Sequence, residues 1–124
     1  MTNWFIRTFL NLIGPQVCVA AIIRKNGKIL LTRRSPHLIE GGKWCLPGGH
    51  VNKKEAAEMA IKREVMEETG LNATKTRFLF YHDEFVTRLR LHALVLVFEV
   101  TVRGTLRPNL EVDEWKWVPL SDAL

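Results

Sequence analysis

Residues 53–69 carry the strongest helix pattern in the chain, and three glutamates fall on or beside its apolar face. On a wheel of about 100° per residue, with Glu64 at zero, Glu67 falls near about −60° and Glu68 near about +40°. Ala57, Ala60, Ile61 and Val65 lie between about −40° and +100°, while Lys62 and Met66 point away. Asn52 stands where an N-cap belongs, Glu55 completes a capping-box pattern, and Gly70 follows the last turn.

Ionised carboxylates in an apolar stripe need partners. Placed together they repel one another, and one of them tends to take up a proton. They also sit in the last turns of the helix, where the dipole disfavours negative charge. Such a cluster is not kept for stability. Hard divalent cations resolve the conflict, because they prefer carboxylate oxygens and retain open water positions. The commoner arrangement, a solvated acidic face paired with Arg63 and nearby lysines, is weakened by the wheel phase.

A chain of 124 residues suits one compact domain. No apolar run is long enough to span a bilayer, so no membrane is expected. The N-terminal segment, residues 1–15, has helix-like apolar spacing over 3–13 and stops at Gly14-Pro15. Arg7 interrupts it and no small-residue cleavage site follows, so it does not read as a secretory signal. Packing on its own domain is the first reading for this segment, a homodimer contact is the next, and docking on a membrane surface is a further alternative. Cys18 and Cys45 form no metal-ligand spacing; half-buried thiols in a reduced, cytoplasmic compartment are expected. The net charge of +5 favours acidic partners. No basic stripe interleaved with aromatics points to a nucleic-acid polymer, so none is expected, and small anionic substrates explain the excess as well as a polyanion would.

Val17 to Ile23 reads as a strand, Asn26-Gly27 as a hairpin turn, and Lys28 to Thr32 as the partner strand. Residues 35–43 read as a loop, Trp44 to Leu46 as extended, and Pro47-Gly48-Gly49 as a turn. Thr76 to Tyr81, His92 to Val102 and Trp115 to Val118 are predicted strands, with a loop over 104–114. Ser121-Asp122 looks like the opening of a helix of which only the start is present. Arg33, Arg34 and Lys43 are candidate phosphate clamps, or a solvated basic edge. Trp44, Phe80 and Phe85 are stacking candidates that fit a core better. His50, His82 and His92 show no ligand spacing.

Residues 49–71 run Gly-His-Val-Asn-Lys-Lys-Glu-Ala-Ala-Glu-Met-Ala-Ile-Lys-Arg-Glu-Val-Met-Glu-Glu-Thr-Gly-Leu. This resembles the Nudix box at every fixed position: Gly49, Glu55, Arg63, Glu64, Glu67, Glu68 and Gly70, with Val65 and Leu71 in the aliphatic places. The resemblance implies an α/β fold over residues 1–124. That fold is an α/β/α sandwich with a mixed β-sheet and a loop–helix–loop catalytic element. It implies a Mg²⁺-dependent hydrolase, with Mn²⁺ as substitute, cleaving a phosphoanhydride bond of a nucleoside diphosphate linked to another moiety. Glu64, Glu67 and Glu68 then look like the metal-binding and catalytic glutamates, and the Gly48 carbonyl like a further metal ligand. Gly49 would let phosphates approach the backbone. Arg63 would orient a glutamate, and Glu55 would be structural. Among Glu111, Asp113 and Glu114, spacing to Trp117-Val118-Pro119-Leu120 favours Glu111 as ligand or base. No proline stands near Val86, where many ADP-ribose hydrolases of the family carry one. The tyrosine of diadenosine polyphosphate hydrolases is missing from the corresponding place too. Both absences favour a nucleoside triphosphate, as in MutT-like enzymes, over ADP-ribose or a nucleotide sugar. A non-catalytic nucleotide sensor is the reading from a different class, and retention of all the box glutamates speaks against it.

Overall fold

The computed structural model describes residues 14–34, 42–86, 91–107 and 112–123. The expected N-terminal helix over 3–13 and the residue Glu111 lie outside them. Strands β1 (Gln16–Ile22), β2 (Arg24–Lys25), β3 (Lys28–Arg34), β4 (Trp44–Cys45) and β5 (Gly48–His50) precede helix α1 (Ala57–Thr69). Strands β6 (Asn72–Val86), β7 (Leu91–Arg103) and β8 (Val112–Pro119) follow, and a single turn, α2 (Leu120–Ala123), comes last.

Two four-stranded sheets form. The first runs β5-β1-β7-β6 and is mixed, with β1 parallel to β7 and the other pairs antiparallel. The second is built on β3, which pairs with β2 and β4 and, along its length, with β8. The Asn26-Gly27 turn takes φ of 52° and 74°, the left-handed pair that a two-residue hairpin requires. Its partner strand is not β1, however. The chain leaves the first sheet at Ile23, so across this turn β3 pairs with the two-residue β2, and β1 lies between β5 and β7.

The core joins the layers. Ala60, Ile61 and Val65 of α1 pack with Val19 and Ala21 of β1, Phe98 and Val100 of β7, and Leu30 of β3. These are the alternate, inward residues of each strand, as period-two geometry demands. Gly70 closes α1 in the left-handed region at φ 74°, and its N–H donates to the Met66 carbonyl.

Three expectations need correction. Helix α1 starts at Ala57 rather than at residue 53, because Lys54 is left-handed at φ 65°. Half of the capping box survives as a turn: the Asn52 N–H donates to Glu55 Oε1 at 3.0 Å, but Ala56 is the N-cap and has no side-chain bond. Gly48-Gly49 is not a turn but strand β5, in register with Ala20 and Val19. The third concerns Phe80 and Phe85, which are exposed on β6 rather than in the core. Register shifts between Ala73 and Lys75, and between Phe78 and Phe80, break the alternation of β6. That also explains why its sequence pattern reads as a much shorter strand.

Cys18 and Cys45 are free thiols, and Cys45 is exposed. Among the described residues, no helix is long and apolar enough to cross a membrane. Leu30→Ala should cost about 2–5 kcal/mol, as a cavity in a fully enclosed site does. Phe85→Ala should stay within about 1 kcal/mol. Chemical denaturation of both variants checks the contrast, and equal losses would contradict this assignment of the core.

Candidate metal and phosphate site

Glu64 and Glu68 are one helical turn apart and both face inward, 8% and 7% exposed. They meet β5, whose two glycines present no side chain. A Cβ on Gly49 would stand 2.6 Å from the Glu64 carboxyl carbon, and one on Gly48 would stand 2.0 Å from the Val19 carbonyl oxygen. Both glycines are therefore explained by close approach, not by turn geometry. The Gly48 N–H donates to Glu68 Oε1 at 3.1 Å. The indole N–H of Trp115 donates to the Glu68 carbonyl at 3.2 Å, which ties β8 to the same turn of α1.

The Glu64 and Glu68 side chains lie on one side of the helix and line the same pocket. Burial pushes the Glu64 carboxyl above its ordinary value of 4.5, while the Arg63 guanidinium pulls the other way. Without a cation, such a pair relaxes by holding a proton. Glu67 behaves differently: its side chain is 47% exposed and bonds to Arg63 Nη1 at 3.1 Å. Among the described residues, no three His, Cys, Asp or Glu side chains converge as a metal cluster. Two buried carboxylates beside strand β5 still fit a hard divalent cation, whose charge would offset theirs.

Arg63 organises the site. Its Nε donates to Glu55 Oε2 at 2.8 Å, Nη1 to Glu64 Oε1 at 2.9 Å, and Nη2 to the His50 carbonyl at 2.9 Å. The bonds to Glu55, first, and then to Glu64 and Glu67 hold the guanidinium even further above its ordinary value. Glu55 is in turn held below its ordinary value of 4.5, chiefly by Arg63. One arginine thus links β5, the loop before α1 and two of the three helix glutamates proposed as metal ligands.

A pocket of about 240 Å³ opens over this cluster. Thr32, Arg34, Cys45, Gly48, Gly49, His50, Asn52, Glu64, Glu68 and Val112 line it. Of the three basic candidates, only Arg34 is in the wall. Strand alternation puts Thr32 and Arg34 on one side of β3 and Arg33 on the other. Arg33 lies 3.4 Å from Glu114, and Lys43 lies 3.9 Å from Glu84. Trp44 has the Lys116 ammonium 4.1 Å from its ring centre and Arg33 on it at 5.9 Å. Phe85 stacks on His92 with ring centres 4.5 Å apart, and His92 bonds to Asp83. Sequence reasoning missed Thr32, Cys45, His50 and Asn52. The period-two spacing of Thr32 with Arg34 was the available signal for the first of them.

A family model for the NUDIX domain matches residues 13–124. A CTP pyrophosphohydrolase of Escherichia coli K12 is 38% identical over 74 residues, 60% of this chain and 55% of that protein. An ADP-ribose pyrophosphatase of Methanocaldococcus jannaschii is 38% identical over 90 residues, 73% of this chain and 53% of that protein. The matched stretch thus spans about half the length of either relative. Among solved structures, a MutT NUDIX hydrolase from Burkholderia pseudomallei superposes with a TM-score of 0.79 at 30% identity, covering 86% of this chain and 84% of that one. A MutT protein from Methanosarcina mazei Go1 gives 0.79 at 33% identity, covering 87% and 80%.

The Arg63–Glu55 pair generates a pH prediction. A carboxyl whose folded value is depressed stabilises the fold above its unfolded value, and that contribution is lost as pH falls through the folded value. Glu55→Gln should therefore melt below the wild type at pH about 7, and the gap should close below pH about 4.5. Thermal melts across this range check it, and a constant gap would contradict the role of Glu55.

Proposed function

The chain belongs to the NUDIX domain family, and on that premise we propose that it hydrolyses a phosphoanhydride bond of a nucleoside diphosphate derivative, with a nucleoside triphosphate as substrate. The observation that carries the proposal is the meeting of two buried glutamates with a strand that has no side chains at that point. Gly48 and Gly49 line the pocket beside these glutamates, so phosphate oxygens held there would meet backbone rather than side chains. The relative that acts on CTP and the two MutT structures support the triphosphate reading. The archaeal ADP-ribose pyrophosphatase supports the second reading, ADP-ribose or a nucleotide sugar.

Glu64, Glu68 and the Gly48 carbonyl would hold Mg²⁺, or Mn²⁺ in its place, and Glu67 would join them by turning from Arg63. When bound, such an ion neutralises phosphate oxygens and lowers the pKa of water. Arg34, in the pocket wall, pairs with the phosphate chain. Arg63 is a positioning residue: it fixes the Glu64 carboxylate against β5. Water attacks phosphorus, the anhydride P–O bond breaks, and the proton of the water passes to a carboxylate of the cluster. The products from a triphosphate are a nucleoside monophosphate and pyrophosphate. Fixed charges and positioning carry much of the rate.

A panel of nucleoside triphosphates, ADP-ribose and nucleotide sugars, incubated with Mg²⁺ or Mn²⁺ and resolved by chromatography, tests this. Pyrophosphate release from a triphosphate is the expected result. Turnover of ADP-ribose alone would move the reading to the second substrate class, and no turnover at all would contradict hydrolysis. Glu68→Gln should lower kcat by on the order of 100-fold.

A further inference from the structure

A second cavity, of about 580 Å³, opens beyond the C-terminus of α1, and among the described residues it shares none of its lining with the glutamate pocket. Its apolar part is formed by Leu71, Val102, Leu106 and Trp117, all packed in or against the core. Its polar part is cationic: Arg24, Lys25 and Arg103 line it, and among the described residues no acidic one does. Arg24 is already bonded to Glu99 at 2.9 Å. Among the described residues, Lys25 and Arg103 have no acidic partner. The Lys25 ammonium lies 5.8 Å from the centre of the Trp117 ring. Part of the +5 net charge thus stands away from the phosphate site, beside an indole.

An apolar wall with a few convergent charges is the composition of a small-molecule site, and the volume falls within the usual range of about 300–1,000 Å³. The charges select an anion, and the indole and aliphatic wall select a flat apolar body. We propose that this cavity binds a small amphipathic anion, an aromatic ring bearing a phosphate, separately from the glutamate cluster. The ring packs on Trp117, Leu71 and Val102, and the phosphate meets Lys25 and Arg103. Strand β8 connects the two sites, since Val112 lines the glutamate pocket and Trp117 lines this one.

The test is an amide and indole NMR titration of the full chain with AMP in EDTA, with adenosine and inorganic phosphate as separate arms. Saturable shifts at the Trp117 indole and the Arg103 and Gly104 amides are expected. Adenosine and phosphate should each bind at least about tenfold more weakly than AMP. Lys25→Glu with Arg103→Glu should weaken AMP at these signals at least about tenfold, and high salt should weaken it in the wild type. Both side chains are exposed, and the milder pair Lys25→Gln with Arg103→Gln serves if the charge reversal disturbs the fold. Shifts confined to Gly48–His50, unchanged affinity in the folded variants, or equal binding of phosphate alone would overturn the proposal.

Discussion

Two carboxylates pressed against a strand of bare backbone are the constraint around which the other parts of this structure are arranged. Glu64 and Glu68 cannot both be ionised, buried and adjacent without compensation. Strand β5 must carry glycine where it does, because any Cβ would collide with the Glu64 carboxyl or the β1 backbone. The hydrogen bond from the Gly48 N–H to Glu68 and the Arg63 bond to Glu64 compensate part of the charge. The remainder is what a divalent cation supplies in the proposed reaction.

Arg63 shows how the scaffold holds that arrangement. A single guanidinium bonds to Glu55, Glu64, Glu67 and the His50 carbonyl. Such a charged fork loses little freedom per bond and fixes several elements together. The apolar core under α1 sets the height of the helix over the mixed sheet, and Trp115 fixes β8 to the same turn. The site therefore depends on packing from both sheets, although most of its polar atoms come from one loop and one helix.

Much of this was legible in the residues. The wheel phase of 57–69 follows from spacing alone and places Glu64 and Glu68 inward with Ala60, Ile61 and Val65. Asn26-Gly27 specified its own turn. What was not legible arises from tertiary geometry. The role of Gly48-Gly49 depends on β1 and α1 approaching from two sides, so a local rule reads it as a turn. Lys54 carries no sequence mark of its left-handed backbone, and so the helix start was misplaced. The bulges of β6 hid a strand of 15 residues, and Phe80 and Phe85 are exposed because residues 80–85 are uncovered on both faces of that strand. Arg34 rather than Arg33 reaches the pocket because of strand phase, which depends on where β3 begins.

The most direct measurement is the effect of a divalent cation on thermal stability at two pH values. Glu64 titrates above its unfolded value, so its favourable contribution is present below pH about 4.5 and is lost as pH rises through the folded value. A cation held by the two carboxylates should therefore raise Tm strongly at pH about 7.5 and little at pH about 4.5, relative to EDTA. No cation effect at either pH, or an equal one at both, would contradict the account of a carboxylate pair kept for a metal.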